Sequence, residues 1–248
     1  MMNKETLVTV ITPCYNSAET IQRTLDSVRQ QTYPNIEYII VDGGSKDGTL
    51  EIIEKNKVLF SGKVTVISEP DKGIYDAMNK GIRMASGELI GIVNSDDYYE
   101  QDAVEKMAEA AKDVPYQILY GFERTLQDGR EASIVFHHHS NLKNQMITHP
   151  TCFVSRKLYE DFGTFSMEYR YSADYEFMLR MAENPKVEFV PVYSLISNYA
   201  LGGASGTAEA YLETQRLMYE HGWISAKKYK LIRFKCFLGK KLSRFVKW

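Results

Sequence analysis

The sequence has few cysteines, no long apolar run and, in its last 28 residues, no acidic side chain. Its three cysteines, Cys14, Cys152 and Cys236, match no metal-ligand spacing and favour a reducing compartment over a disulfide framework. No stretch approaches the roughly 20 apolar residues of a membrane span. Residues 1–6 show no signal-peptide pattern. Together these absences predict a cytoplasmic protein without a transmembrane helix.

Two nucleotide-binding signatures are also absent. The loop at residues 13–16 follows the first predicted strand and contains no glycine, whereas a dinucleotide-binding fingerprint needs glycine there for close approach of the pyrophosphate. No Gly-Lys-Ser/Thr follows a strand, which argues against a P-loop ATPase. A nucleotidyltransferase normally needs a basic or glycine-rich loop at the same place, so that class is the less favoured enzyme.

The 248 residues are 44% hydrophobic and 25% charged, which suits one large α/β domain or one domain with an appendage. Apolar runs at 7–12, 36–41, 64–67 and 89–93 predict strands, the first stopped by Pro13. Helical patterns separate them, the first with Ser17 as its N-cap. This alternation predicts a mostly parallel central sheet with right-handed crossovers.

Three of these strands lead into acidic loops, at Asp42, at Asp71 and at Asp96-Asp97. The carboxyl ends of parallel strands meet at one sheet edge, so the three loops together suggest a nucleotide site. Adjacent carboxylates repel each other and lose hydration when buried, so Asp96-Asp97 favours a divalent cation. A plain strand-to-helix turn is the alternative for this segment alone.

Four motifs, in order, resemble those of family 2 glycosyltransferases: residues 12–16 (TPCYN), 41–49 (VDGGSKDGT), 77–81 (AMNKG) and 94–97 (NSDD). The run 68–81 (SEPDKGIYDAMNKG) looks closer still to exopolysaccharide enzymes, including colanic-acid-type transferases. The resemblance spans at least residues 6–200. It implies a GT-A fold (the Rossmann-like fold of nucleotide-diphospho-sugar transferases), a nucleoside-diphosphate sugar donor and Mg²⁺ or Mn²⁺.

The resemblance also implies roles by position. The metal would lie at Asp96 and Asp97, with the choice of main ligand open because the first aspartate of the family's Asp-x-Asp motif is Asn94 here. Asp42 would read the base. The other positions expected to bind the nucleotide-sugar are Pro13, Tyr15, Asn16, Gly44, Asp71, Gly73, Asn79, Asn94, Ser95 and Asp96.

The second half carries the expected base. Residues 171–180 resemble the family's acidic base motif, with Asp174 in the base position; a helix-capping carboxylate is the alternative. His149 is expected near the donor phosphates or the acceptor, against a purely structural histidine. The run 137–139 (HHH) is interpreted as a solvated loop, because three successive side chains cannot point one way.

Two further segments bear on the reaction. The glycine-rich loop at 201–206 is of a type that could close over donor phosphates. The Gln-x-x-Arg-Trp motif of the family's processive synthases is absent, so the resemblance implies transfer of a single sugar.

The carboxyl-terminal segment is strongly basic. From residue 221 onward there are nine Lys or Arg, while the rest of the chain carries a net charge of about −11. Within 226–248 apolar residues recur at helical spacing, at Leu231, Phe234, Leu238, Leu242 and Phe245. This pattern favours peripheral contact with an anionic membrane over a helix packed on the domain or on a second copy. The acidic remainder argues against nucleic acid as a partner.

Together these expectations predict the domains, the activity and the location of the protein. Residues 1–206 would form the catalytic domain, with a nucleotide half at 1–100 and an acceptor half at 101–206, and 207–248 a basic helical tail. The predicted activity is inverting, non-processive transfer from a UDP-sugar to a glycan or lipid-linked acceptor in cell-surface polysaccharide synthesis. The place of action would be the inner face of the plasma membrane. An inactive nucleotide-sugar-binding scaffold or sensor is the alternative outside the enzymes.

Overall fold

A computed structural model describes residues 6–202 and 206–245, with side chains as far as Phe237. The strands are β1 (Val8–Cys14), β2 (Ile36–Asp42), β3 (Lys63–Ser68), β4 (Leu89–Ile92), β5 (Tyr98–Tyr99), β6 (Gln117–Gln127), β7 (Arg130–Val135), β8 (Phe153–Ser155) and β9 (Glu188–Ala200). The helices are α1 (Ile21–Arg29), α2 (Thr49–Lys57), α3 (Ile74–Met84), α4 (Ala103–Ala110), α5 (Arg156–Phe162), α6 (Ala173–Ala182), α7 (Ala208–Glu220) and α8 (Ala226–Phe245).

All nine strands belong to one sheet, in the order β3-β2-β1-β4-β8-β6-β9-β5, with β7 paired to β6. The first four strands are parallel, as predicted. The second half is mixed, because β8 runs antiparallel to β4 and β6 while β6 and β9 are parallel. The α/β prediction is therefore confirmed, with the parallel arrangement concentrated in the amino-terminal half.

The strands β1, β2 and β4 at the centre of the parallel half are buried on both faces. Successive strand residues point to opposite sides. Thus Ile11 and Ile39 enter one apolar core, with α3 and α6, while Val10 and Ile40 enter the other, with α1 and α4. Covering both faces explains why the parallel strands are continuous apolar runs rather than alternating ones.

Two local predictions were wrong. Strand β1 continues through Pro13 to Cys14, because the pairing with β4 ends at Ile11 and no ladder hydrogen bond is lost on that side. Ser17 is not the N-cap of α1, which begins at Ile21 after Thr20. Instead the Ser17 carbonyl accepts hydrogen bonds from the amides of Thr20 and Ile21.

Helix α7 packs on the sheet domain, with Leu217 in the core beside α6. Helix α8 contacts α7 through stacked rings of Tyr219 and Tyr229, 5.1 Å apart. Within the described residues, none of the helices is long and apolar enough to cross a membrane. The division at residue 206 stays a prediction.

Candidate active site

A cavity of about 930 Å³ opens at the carboxyl ends of the parallel strands. This is the usual ligand position in an open α/β sheet. Ten of the predicted site residues line it: Pro13, Tyr15, Asn16, Asp71, Gly73, Asn94, Ser95, Asp96, His149 and Asp174. Four others, Asp42, Gly44, Asn79 and Asp97, lie outside its wall.

One side of the cavity is built by the loops after β1 and β2. Asn16 adopts φ 48°, a left-handed conformation that asparagine tolerates, and its Oδ1 accepts from the Lys46 amide at 2.9 Å. Tyr15 is 60% exposed and offers an aromatic face to the cavity. Gly43 lies so close to Asp71 that a Cβ would approach Asp71 Oδ2 at 2.5 Å. A larger residue at position 43 would therefore displace the Asp71 side chain, which lies in the loop after β3.

Asp42 is not among the residues that line the cavity, and its expected role in reading the base stays a prediction. Its side chain is fully buried. One carboxylate oxygen accepts from Ser68 Oγ at 2.6 Å and from the Gly44 amide at 3.2 Å, and the other accepts from Ser45 Oγ. The carboxylate thus shapes the loop that carries Gly44 (φ +83°), and both residues support the wall from behind.

Asp71 and Gly73 lie at the amino-terminal end of α3. Asp71 Oδ1 accepts from the Gly73 amide at 2.8 Å, and Gly73 has φ +117°, which favours glycine. Asn79 is different, because its Nδ2 donates to the Phe165 carbonyl at 2.9 Å and its Oδ1 accepts from the Phe165 amide at 3.0 Å. Its amide group joins α3 to the loop before α6, and its nucleotide contact stays a prediction.

The two adjacent aspartates after β4 have different surroundings. Asp97 is fully buried, and its carboxylate accepts from the Ala200 amide at 3.0 Å and from Asn94 Nδ2 at 3.1 Å. Burial and the charge of Asp96 raise the pKa of Asp97 to about 7. Asp96 is half-buried on the cavity wall, and desolvation raises its pKa despite the opposing charge of Arg23. Of the two, Asp96 is the one that lines the cavity.

The residues at this corner suit a hard divalent cation. Asp96 supplies a carboxylate, and Asn94 lines the same cavity with a buried Oδ1 that has no hydrogen-bond partner among the described residues. Mg²⁺ is commonly held by one or two protein oxygens together with substrate phosphates. Within the described ranges, no group of three His, Cys, Asp or Glu side chains could hold a metal alone. The donor set therefore fits a cation shared with a phosphorylated ligand.

Asp174 lies in the first turn of α6, with its carboxylate aimed by hydrogen bonds. Tyr75 Oη donates to Asp174 Oδ1 at 2.8 Å, and the Tyr175 amide donates to the same oxygen at 2.9 Å. The N-cap position belongs to Ser172. A carboxylate on the cavity wall, held in one orientation, can accept a proton from a bound hydroxyl.

His149 is buried, with its ring edge-on to Phe165. Burial lowers its pKa, opposed by the charge of Asp174, so the imidazole is neutral at pH 7. The three histidines at 137–139 are half-buried rather than fully solvated. His137 Nδ1 pairs with the Met146 carbonyl and His139 Nδ1 with Tyr120 Oη, and neither residue lines the cavity.

Sequence reasoning missed two acting side chains, Tyr75 and Glu123. Tyr75 lies inside a motif that was recognised, but its hydrogen bond joins residues 99 positions apart. Glu123 lines the cavity, and burial followed by the charge of Asp97 raises its pKa to about 8. It directly follows the apolar run 118–122 (ILYGF), the same arrangement of an apolar run and an acidic residue that marked Asp42 and Asp96, so the signal was present in the sequence.

An α/β sheet with an acidic, metal-compatible cavity at its strand ends is the architecture of a GT-A-type transferase. The profile of the family described as Glycosyl transferase family 2 matches residues 9–173. The chain therefore belongs to glycosyl transferase family 2, and it is a glycosyltransferase.

Two proteins with similar sequences are named as a glycosyltransferase and as a chondroitin synthase. A PGL/p-HBAD biosynthesis glycosyltransferase of Mycobacterium bovis is 29% identical over 204 residues, covering 81% of this chain and 80% of that protein. The chondroitin synthase of Pasteurella multocida is 31% identical, covering 85% of this chain and 22% of that enzyme. The closer likeness to colanic-acid-type transferases stays a prediction.

Solved structures share the fold. S. aureus TarS 1-349 in complex with UDP-GlcNAc has a TM-score of 0.68 at 21% identity, covering 86% of this chain and 65% of that one. The mannosyltransferase PcManGT from Pyrobaculum calidifontis, in complex with GDP-Man and Mn²⁺, has a TM-score of 0.63 at 20% identity, covering 85% and 61%. This chain spans less than two thirds of either solved chain.

Proposed function

We propose that this protein transfers one sugar from a UDP-sugar to a hydroxyl group of a glycan or lipid-linked acceptor. The observation that carries the proposal is the presence of Asp96 and Asp174 on the wall of one cavity. Asp96 is suited to the diphosphate end of a donor and Asp174 to the hydroxyl of an acceptor. The cavity volume is also in the range of nucleotide and cofactor sites.

Asp174 acts as the general base. Its carboxylate takes the proton of the acceptor hydroxyl while that oxygen attacks the anomeric carbon. The bond between the anomeric carbon and the diphosphate breaks, and the nucleoside diphosphate leaves with the electron pair. Attack opposite the leaving group inverts the anomeric centre. Tyr75 and the Tyr175 amide hold the carboxylate in place during this step.

Asp96, with Asn94 Oδ1, would hold Mg²⁺ or Mn²⁺ together with the donor diphosphate. A bound cation neutralises charge that develops on the departing diphosphate. Asp97 keeps a supporting role, because its oxygens accept hydrogen bonds from Ala200 and Asn94. On the other side, Tyr15, Asn16 and Asp71 form the proposed pocket for the nucleoside.

Uracil is the proposed base of the donor, and a cell-surface glycan is the proposed product. The UDP and UDP-GlcNAc complexes of the TarS structures support the donor class. The relatives named for PGL/p-HBAD biosynthesis and for chondroitin synthesis support a glycan or glycolipid acceptor. GDP is the competing donor nucleotide, since the PcManGT structure contains GDP-Man.

Contact with an anionic membrane, from the cytoplasmic side, is the proposed setting. Leu231 and Phe234 of α8, two residues of the apolar face predicted from the sequence, are each more than half exposed, which supports their contact with a membrane. Lys227, Lys228 and Lys230 precede that face. The predicted positions from Leu238 to Trp248 lie outside the described side chains, as do residues 203–205 of the predicted phosphate loop.

Asp174→Asn tests the proposed activity. We expect sugar transfer, and donor hydrolysis without acceptor, to fall by about 10²–10⁴-fold, because the base is lost while the shape is kept. UDP affinity measured by calorimetry with Mn²⁺ should be unchanged. The matched control is Glu183→Gln, an exposed carboxylate after the same helix.

Three outcomes would count against the proposal. Full activity in Asp174→Asn would show that Asp174 is not the general base. Tight UDP binding by the wild-type protein, with no turnover of any donor, would favour a nucleotide-sugar sensor. Much tighter binding of GDP than of UDP would overturn the choice of base.

A further inference from the structure

Glu123 has no role in the reaction as described above, yet it lies on the wall of the same cavity. It follows a pair of register irregularities between β6 and β9, at Tyr120/Phe122 and Phe122/Glu123. Such bulges commonly re-aim a side chain beside a site. Gly121 allows this one, because a Cβ there would approach Ile196 Cγ1 at 2.5 Å and the Ser194 carbonyl at 2.7 Å.

The Glu123 side chain is only 4% exposed, and its Oε2 is buried without a hydrogen-bond partner among the described residues. An unpartnered buried polar atom costs free energy in the folded state, and such atoms at a cavity wall are expected to be satisfied by the ligand. Burial, together with the charge of Asp97, raises the pKa of the Glu123 carboxyl group. A carboxyl group accepts hydrogen bonds at its oxygens and, when protonated, also donates one.

The position of Glu123 narrows the kind of group it meets. The nucleoside side of the cavity is built from the loops after β1 and β2 and from the start of α3, whereas Glu123 comes from β6 and Asp174 from α6, both in the second half of the chain. A diphosphate offers only acceptor oxygens, so it can pair with a carboxyl group only through the carboxyl proton. A neutral hydroxyl, which both donates and accepts, matches a carboxyl group.

A cation does not explain the residue either. Within the described part of the chain, Glu123 does not combine with Asp96 and Asp97 into a group of three ligands that could hold a metal. The transferred sugar, in contrast, must lie between the diphosphate at Asp96 and the acceptor at Asp174, since its anomeric carbon reacts with both.

We infer that Glu123 is a donor-specificity residue whose carboxyl group forms hydrogen bonds with a hydroxyl of the transferred sugar ring. The inference rests on the proposed function and adds the recognition of the sugar itself. Glu123 would then distinguish donors that carry the same nucleotide but differ in one hydroxyl of the sugar ring. The residue lies outside the proposed nucleotide pocket.

Calorimetry with UDP and with UDP-GlcNAc, UDP-glucose and UDP-galactose, in the presence of Mn²⁺ and without acceptor, separates the sugar from the nucleotide. The variants are Glu123→Gln, which keeps shape and hydrogen bonding, and Glu123→Leu, which removes both oxygens. Glu131→Gln, on the exposed edge of β7, is the matched control.

For Glu123→Leu we expect about tenfold weaker binding of the UDP-sugar that the wild type binds best. Glu123→Gln should fall between wild type and Glu123→Leu, and UDP affinity should stay within about twofold throughout. The melting temperature of Glu123→Leu should not fall, since an unsatisfied buried acid has been removed.

Unchanged UDP-sugar affinity in Glu123→Leu would overturn the inference while leaving the proposed function standing. An equal loss of UDP and UDP-sugar affinity, with a lower melting temperature, would make Glu123 a structural residue. A wild-type protein that binds neither UDP nor any of the three UDP-sugars would overturn the proposed donor and this inference together.

Discussion

At the scale of single residues, the orientation of Asp174 depends on Tyr75. The Tyr75 ring is buried, 5.5 Å from the ring of Phe165, and only its hydroxyl reaches the carboxylate. Burial, together with the charge of Asp174, raises the pKa of Tyr75 well above its usual range, so the phenol stays protonated and donates. Tyr75 is a positioning residue, because it acts on the substrate through Asp174.

Tyr75→Phe should reduce kcat by about three- to tenfold, the equivalent of one hydrogen bond, with little change in donor KM. The ring packing is kept, so the free energy of unfolding should change by less than about 1 kcal/mol. Steady-state kinetics and urea unfolding measure both quantities. Tyr159→Phe, which removes another buried tyrosine hydroxyl outside the cavity, is the control. Equal losses of kcat in both variants would contradict the positioning role.

At the scale of elements, α7 supports the loop before the base helix. Glu213 of α7 accepts hydrogen bonds from the backbone amides of Arg170, Tyr171 and Ser172. Arg170 and Tyr171 line the cavity, and Asp174 follows directly. A helix predicted to begin the tail thus sets the conformation of the acceptor side of the site.

Glu213→Gln should lower activity about tenfold, because an amide offers only one acceptor oxygen and the loop loses its fixed orientation. UDP affinity should change less, since the nucleoside side is built by other loops. The control is Glu209→Gln, an exposed position one turn earlier on α7. Activity equal to the wild type would show that the loop holds its conformation without α7.

At the scale of the whole molecule, Glu37 joins four segments of the fold. Its buried carboxylate accepts from Thr9 Oγ1 of β1 at 2.7 Å, from Lys63 Nζ of β3 at 2.8 Å and from the Ser86 amide before β4 at 2.7 Å. Burial alone would raise the pKa of Glu37, but these donors outweigh it and hold the pKa at about 2.

Because the folded pKa lies below the ordinary value of 4.5, the native state binds fewer protons than the unfolded state. The stabilisation is complete above about pH 4.5 and is lost as the pH falls toward 2. Glu37→Gln should therefore cost about 2 kcal/mol at pH 7, and the difference from wild type should shrink below pH 4.5. Urea unfolding across this pH range checks it, with the exposed Glu51→Gln as control. A difference independent of pH would contradict the assignment.

Helix α8 leads to a prediction about location. The full chain should sediment with vesicles that contain phosphatidylserine and not with vesicles of phosphatidylcholine alone, since each cation near an anionic surface contributes about 1 kcal/mol. Removal of residues 226–248 should abolish sedimentation while UDP binding is kept. Phe234→Ser should weaken it through the exposed apolar face. Sedimentation unchanged by truncation would rule out α8 as the membrane contact.

Much of the fold was accessible from the sequence because the first four strands are local apolar runs, and three of them, β1, β2 and β4, are buried. Each could be read from its own residues, and their parallel pairing follows from the alternation with helices. The sheet order of the second half could not be derived in this way. The short strands β5 and β8 have two and three residues, and they join the sheet through long-range pairing that leaves no periodic signal.

The sequence by itself determined the family, the order of the motifs and the ten predicted residues that line the cavity, because these depend on residue types at short spacing. The tertiary structure alone decided which acids line the cavity. Asp42 and Asp97 turn inward because backbone amides and hydroxyls from distant segments satisfy their oxygens. Asp96 and Glu123 remain on the wall. Which of two neighbouring carboxylates is satisfied within the protein depends on contacts across the fold, and local sequence does not contain them.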